Sequence, residues 1–167
     1  MNKSFTTFSG STVSRALLFP MESVYESYVA QQMKKVMGAE GWDVSSQDKG
    51  HYLFTAPKKQ FALRPDLVMK KDDRIIILDT KWKSLVNNER INYGISQADM
   101  YQMYAYSKKY NTSEIWLLYP ANDEMRNHEP IKFEEREGDG TGTTVNVYFI
   151  DVDKIEDSLQ KLKIRLG

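Results

Sequence analysis

The chain has 167 residues, no cysteine, 41% hydrophobic and 12% aromatic content, and 23 basic against 23 acidic side chains for a formal net charge of zero. That length and apolar content suffice for one buried core, and the missing cysteines exclude disulfides, thiolate zinc sites, iron–sulfur clusters and cysteine nucleophiles. Zero net charge gives no global field for nucleic acid, so any such binding needs a local patch or a partner.

Residues 1–14 (MNKSFTTFSGSTVS) are rich in Ser and Thr and lack periodicity, so they are expected to be a mobile lead-in to a single domain spanning 15–167. Their polarity leaves no signal-peptide core, and runs such as Ala16–Phe19 and Ile115–Tyr119 fall far short of the ~18 residues a membrane span requires. The expectation is a cytoplasmic protein with no membrane partner. From Pro20, the apolar positions Met21, Val24, Tyr25, Tyr28, Val29, Met33 and Val36 follow helical spacing, with Gly38 and Gly41 at the stop. A glycine-containing linker then leads to a predicted strand around His51–Thr55, a second over Phe61–Met69 and a third over Arg74–Lys81, with Lys70-Lys71-Asp72-Asp73 as the turn between the last two. Ile95–Tyr110 reads as a helix, Ile115–Tyr119 and Val145–Val152 as buried strands, and Lys154–Leu166 as a closing helix. The stretch Asn122–Thr144, with Glu134-Glu135-Arg136-Glu137 and Gly138-Asp139-Gly140-Thr141-Gly142, reads as an irregular loop or a long exposed hairpin. The order αβββαβ predicts an α/β domain whose central sheet has helices on both faces.

Two aspartates stand out in "RPDLVMKKDDRIIILDTKWK", residues 64–83. Aspartate is a poor strand residue and a buried unpaired carboxylate is costly, so Asp66 in an apolar stretch and Asp79 after Ile75-Ile76-Ile77-Leu78 call for a chemical reason. A hairpin centred on Asp72-Asp73 pairs residues whose numbers sum to 145, which sets Asp66 opposite Asp79 with Cβ atoms about 4.5–5.5 Å apart. Alternation places Lys81 on that same face and Thr80 and Trp82 on the other, with the Thr80 backbone carbonyl as an additional hard oxygen donor. Mg²⁺ favours one or two carboxylates with waters and phosphate oxygens, and a neighbouring lysine can position the attacking water and neutralise developing charge.

Pro65-Asp66, followed after an Ile-rich strand by Asp79-Thr80-Lys81, resembles the PD-(D/E)XK nuclease signature. Together with "LLFPMESVYESYVA" (17–30) and "QADMYQMYAYSKKYNTSEIWLLYP" (97–120), the segment resembles the catalytic half of McrC, the nuclease subunit of McrBC-type restriction systems for modified cytosine. The likeness covers roughly residues 15–120. It implies a restriction-endonuclease-like core with a mixed sheet flanked by helices, Mg²⁺ as cofactor with Mn²⁺ substituting, DNA as substrate and a McrB-type AAA+ GTPase motor as partner. It further implies that Glu26, in Tyr25-Glu26, joins the metal site, with Glu22 as runner-up on the same flank, and that Gln102 and Tyr106 match a Q-x-x-x-Y motif that supports the site or contacts DNA. Ordinary aromatic helix packing would explain Tyr101, Met103, Tyr104 and Tyr106 as well. McrC proteins usually carry a further N-terminal region that engages motor and DNA, so the expectation is either a truncated catalytic piece or a small stand-alone relative.

Other chemistries fail at the residue level. His51 and His128 are isolated and read as loop residues, which disfavours HNH nucleases and zinc hydrolases. No G-x-x-x-x-G-K-[ST] occurs, so the chain is not itself a nucleotide-driven motor. The doublets Lys34-Lys35, Lys58-Lys59, Lys70-Lys71 and Lys108-Lys109 suit solvated surface, although Lys58, Lys59, Arg64 and Lys83 together could form the local phosphate-facing patch. The expected function is a Mg²⁺-dependent endodeoxyribonuclease of McrC type. Two alternatives are a non-cutting DNA-binding or assembly subunit and a repair or junction nuclease on the same fold.

Overall fold

Ile75–Leu78 and Ile115–Tyr119 are apolar at nearly every position because the sheet they belong to is covered on both sides, the pattern of parallel strands beneath helices. The computed structural model describes residues 21–136 and 142–167, so the expected lead-in 1–14 and part of the Gly-rich loop lie outside the described residues. The elements run α1 (Met21–Gly38), β1 (Asp43–Ser46), β2 (His51–Phe54), β3 (Gln60–Leu63), β4 (Leu67–Lys71), β5 (Arg74–Thr80), α2 (Gln97–Tyr110), β6 (Glu114–Pro120), β7 (Ile131–Glu134), β8 (Thr144–Ile150) and α3 (Ile155–Leu166). A six-stranded mixed sheet has the order β1-β4-β5-β6-β8-β7, and β2 with β3 makes a separate two-stranded ribbon. β5, β6 and β8 are parallel at the centre, and antiparallel partners flank them.

The mixed sheet flanked by helices agrees with the sequence expectation. On one face α1 and α3 press Val29, Met33, Met37, Leu159, Leu162 and Leu166 onto Leu67, Met69, Ile76, Leu78, Trp116 and Leu118. On the other face α2 presses Met103, Tyr106 and Tyr110 onto Val68, Ile77, Ile115, Leu117, Tyr119 and Val147. Gly41 stops the chain after α1 with φ +83°, a conformation in which a Cβ would be strained. Ser96 starts α2, its Oγ accepting from the Asp99 amide, and Asn111 ends it in the left-handed region at φ 52°. Among the described residues no helix is long and apolar enough to cross a membrane.

Three expectations need correction. β1 was missed because Asp43-Val44-Ser45-Ser46 has a single apolar residue; its strand conformation comes from pairing with β4, Asp43 opposite Lys70 through Ser46 opposite Leu67. The strand expected over Phe61–Met69 is two strands in different sheets, broken at Arg64-Pro65-Asp66, where proline offers no ladder donor. The third is His51, which opens β2, the strand expected around His51–Thr55, instead of lying in a loop. Of the two readings of Asn122–Thr144 the hairpin holds, since Ile131–Glu134 forms β7 and pairs antiparallel with β8 at the sheet edge.

Fully buried Met33 and largely exposed Val24 (52%) lie on opposite sides of α1. Met33→Ala should lower unfolding free energy by about 2–5 kcal/mol, whereas Val24→Ala should stay within about 0.5 kcal/mol of wild type. Urea titration of both variants checks this, and equal effects would mean that α1 does not bury the face described.

Candidate active site at the end of β5

The β4–β5 register is the one expected from the sequence: Leu67 faces Leu78, Val68 faces Ile77, and every pair sums to 145. The ladder stops one step short of the aspartates. Asp66 therefore lies outside the pleat, and its side chain bends across the strand end, where Oδ2 accepts from the Thr80 amide at 2.7 Å and from Thr80 Oγ1 at 2.6 Å. Thr80 thus meets Asp66 through its amide and hydroxyl, a contact that face alternation did not foresee. The Asp66 carbonyl accepts from the Gln47 amide at 3.0 Å, which ties this corner to the end of β1.

Asp79 still belongs to β5, opposite Leu117 of parallel β6, and is only 2% exposed. Burial above all, and then the nearby Asp66 charge, push its carboxyl from the ordinary value up to about 7. Lys81 Nζ lies 2.5 Å from Asp79 Oδ2 as a close ion pair. Desolvation pulls the Lys81 ammonium down, but Asp79, Asp99 and Asp66 together hold it above the ordinary lysine value. The same ammonium donates to Gln102 Oε1 at 3.0 Å, and Gln102 Nε2 donates to Tyr106 Oη at 3.0 Å. Asp99 Oδ1 stands 3.9 Å from Lys81 Nζ. Spacings of three and four residues put Asp99, Gln102 and Tyr106 on one face of α2, and that face is turned to the end of β5.

Trp82 leaves on the opposite side, its ring 5.3 Å from that of Tyr25 on α1, as alternation predicts. Glu26 is half-buried and accepts from Gln47 Nε2 at 2.9 Å, so it reaches the Asp66 corner through Gln47; Glu22, one turn earlier, is exposed. Among the described residues, no three histidine or carboxylate side chains converge closely enough to hold a metal among themselves. Lys58 and Lys59 are exposed on the β2–β3 ribbon, and Lys83 Nζ donates to the Gly94 carbonyl at 2.7 Å. The sequence reading missed Asp99 and Tyr119. Asp99 was within reach, three residues before Gln102 on the same helix. Tyr119 was not: its buried hydroxyl is held protonated by burial first and then by the Asp99 and Asp79 charges, which reach it only because β6 lies beside β5.

The site faces one lysine with three aspartates, Asp66, Asp79 and Asp99. A carboxyl whose acidity weakens on folding keeps a proton that the unfolded chain has released. Asp79 therefore favours folding most below about pH 4, loses that contribution as pH rises to about 7, and adds no further slope above. In metal-free buffer the stability of wild type relative to Asp79→Asn should fall across pH 4–7, by up to about 4 kcal/mol at 1.36 kcal/mol per unit. Melting curves at half-unit intervals read this, and parallel curves for the two proteins would show that Asp79 is not desolvated.

A family model described as "McrBC 5-methylcytosine restriction system component" matches residues 1–120. Among solved structures, the chain is similar to a chain of the refined half-complex from the tetradecameric assembly of Thermococcus gammatolerans McrB AAA+ hexamers with bound McrC, at a TM-score of 0.62 and 15% identity. That match covers 88% of this chain and 33% of the other, and at this identity it speaks for the fold alone. No curated protein matches the chain. With well over half of its length matched by one family model, the chain belongs to the McrBC 5-methylcytosine restriction system component family.

Proposed function

We propose that this chain is a McrC-type endonuclease subunit on a PD-(D/E)XK core, hydrolysing DNA phosphodiester bonds with Mg²⁺ and working in the cytoplasm with a McrB-type AAA+ GTPase motor. The observation that carries this reading is Asp79: a buried carboxylate beside Asp66, paired with Lys81, in a site where three acids face one lysine. Proteins do not hold like charges together in low dielectric without a compensating cation or a protonation. Two carboxylates and one backbone carbonyl are hard oxygen donors of the number that Mg²⁺ takes from protein, the rest of its shell being water and phosphate. Asp66, Asp79 and the Thr80 carbonyl would hold it, and Glu26 borders the same corner through Gln47. When bound there, Mg²⁺ would supply Lewis-acid chemistry.

The chain's own groups do the remaining work. Lys81 is held as an ammonium, so it acts by charge, neutralising the phosphoryl oxygens as negative charge builds and orienting the attacking water. Gln102 fixes the position of that ammonium and Tyr106 fixes Gln102, which gives the Q-x-x-x-Y pair a positioning role. The restriction-system family membership and the likeness to an assembly of McrB hexamers with bound McrC support the motor partner.

The close Asp79–Lys81 ion pair also supports a second reading, a DNA-binding or assembly subunit in which the pair is structural. Mutation separates the two. On the nuclease reading, Asp79→Asn and Lys81→Ala each reduce plasmid cleavage by about 10²–10³-fold or more in a motor-reconstituted assay, while Asp79→Asn melts no lower than wild type at pH 8. Gln102→Ala loses less, about tenfold, through a displaced lysine. If Asp79→Asn melts early and the assembled complex still cuts, the ion pair is structural and the nuclease assignment fails.

Metal linkage gives an independent readout. Mg²⁺ or Mn²⁺ at 100 times its dissociation constant should stabilise wild type and Lys81→Ala by roughly 2.7 kcal/mol and leave Asp79→Asn unmoved. Thermal melts with and without the ion check this. An equal shift in all three would place the cation elsewhere.

A further inference from the structure

From Lys49 through Pro65 the chain carries Lys49, Lys58, Lys59 and Arg64 and no acidic residue, a local formal charge of +4 in a protein whose total is zero. This segment forms the β2–β3 ribbon, outside the six-stranded sheet. Its root is clamped to α2. Tyr110 Oη donates to Asp48 Oδ2 at 2.7 Å, the His51 and Tyr110 rings lie 3.9 Å apart, and Leu53 and Leu63 pack into the core under α2. Its tip is not covered: residues 54–62 are all exposed. Phe54 (59% exposed) and Phe61 (67%) meet edge to face there with centroids 6.0 Å apart, and Phe61 holds a φ of 56°, where a bulky side chain is strained. Two phenyl rings are thus presented to water on a rigidly based, basic arm.

We propose that the β2–β3 ribbon is a DNA wing, with Phe54 and Phe61 entering a base step of duplex DNA as an apolar wedge and Lys58 and Lys59 holding the flanking phosphates. The inference rests on the nuclease reading only in taking DNA as the partner. Apolar side chains that unstack a base step, bordered by cations on the backbone, are an established way to grip and bend duplex DNA. Charge selects this occupant over a second copy of the chain, because a two-fold contact would set the +4 arm against itself. Position agrees. Phe61 is five residues from Asp66, a reach of at most about 17 Å, or about five base-pair steps at 3.4 Å each. A wing there would hold the duplex next to the phosphate presented to Asp66 and Asp79.

The test uses the full chain in EDTA at about 50 mM salt, with duplexes carrying 2-aminopurine at successive steps, and reads anisotropy for affinity and fluorescence for unstacking. Wild type should raise the 2-aminopurine fluorescence above that of the free duplex. Phe54→Ser/Phe61→Ser should abolish that rise and weaken binding about tenfold with the salt slope unchanged, as expected for lost stacking. Lys58→Ala/Lys59→Ala should reduce the salt slope by nearly two, about 0.9 for each phosphate contact. The affected side chains are exposed, and matching melting temperatures will confirm that the variants fold. Wild-type affinity and fluorescence in Phe54→Ser/Phe61→Ser would overturn the wing. So would self-association in sedimentation that this variant loses while its DNA binding is intact. Because cleavage is not read, a chain that unstacks DNA but never cuts refutes the nuclease reading alone, whereas unchanged binding by the wing variants refutes the wing alone.

Discussion

A carboxylate withdrawn from water at the end of a central strand is the constraint on which the rest of this molecule depends. Asp79 sits where β5, flanked by β4 and β6 and covered on both faces, runs out of apolar partners. In that position an ionised side chain is destabilised by burial, and Asp66 makes it worse. The surrounding groups are arranged around this cost. Lys81 supplies charge, Gln102 and Tyr106 hold the lysine, and Thr80 engages Asp66 with two donors. One ammonium does not balance three carboxylates, so the site retains a demand for positive charge.

The two helical layers do different jobs. α1 and α3 bury the sheet's far face and fix where the chain leaves β5, since Trp82 packs at a tilt against Tyr25 and the Tyr25 hydroxyl donates to the Leu118 carbonyl. α2 is both wall and instrument: Met103 and Tyr106 face its core, while Asp99 and Gln102 reach the lysine. Its far end anchors the β2–β3 ribbon through Tyr110, Asp48 and His51. One helix therefore links the site to the basic arm. A side chain such as Tyr106 serves packing and polar positioning at once, which is why aromatic packing and a supporting motif were both fair readings of the same residues.

Membership of the McrBC component family gives this geometry a biological frame, and the physics limits what the chain does alone. Zero net charge offers little long-range attraction to DNA, while residues 49–65 gather four basic residues with no acidic one among them.

By itself the sequence determined the α/β layering, the long helices and the register of the β4–β5 hairpin, because these follow from local signals: 3.6-residue periodicity, uninterrupted apolar runs and an Asp-Asp turn. It also placed Asp79 and Lys81 on one face and Trp82 on the other, since strand alternation is a two-residue rule. What required tertiary structure was everything decided by distant neighbours. β1 is a strand only because β4 pairs with it, and the break at Pro65 frees Asp66 to bend onto Thr80. Glu26 meets Gln47 because α1 and β1 come together, and Tyr119 joins the site because β6 lies beside β5. Local periodicity carries no term for such pairings, whose energy appears only when chain segments far apart in sequence exclude water together.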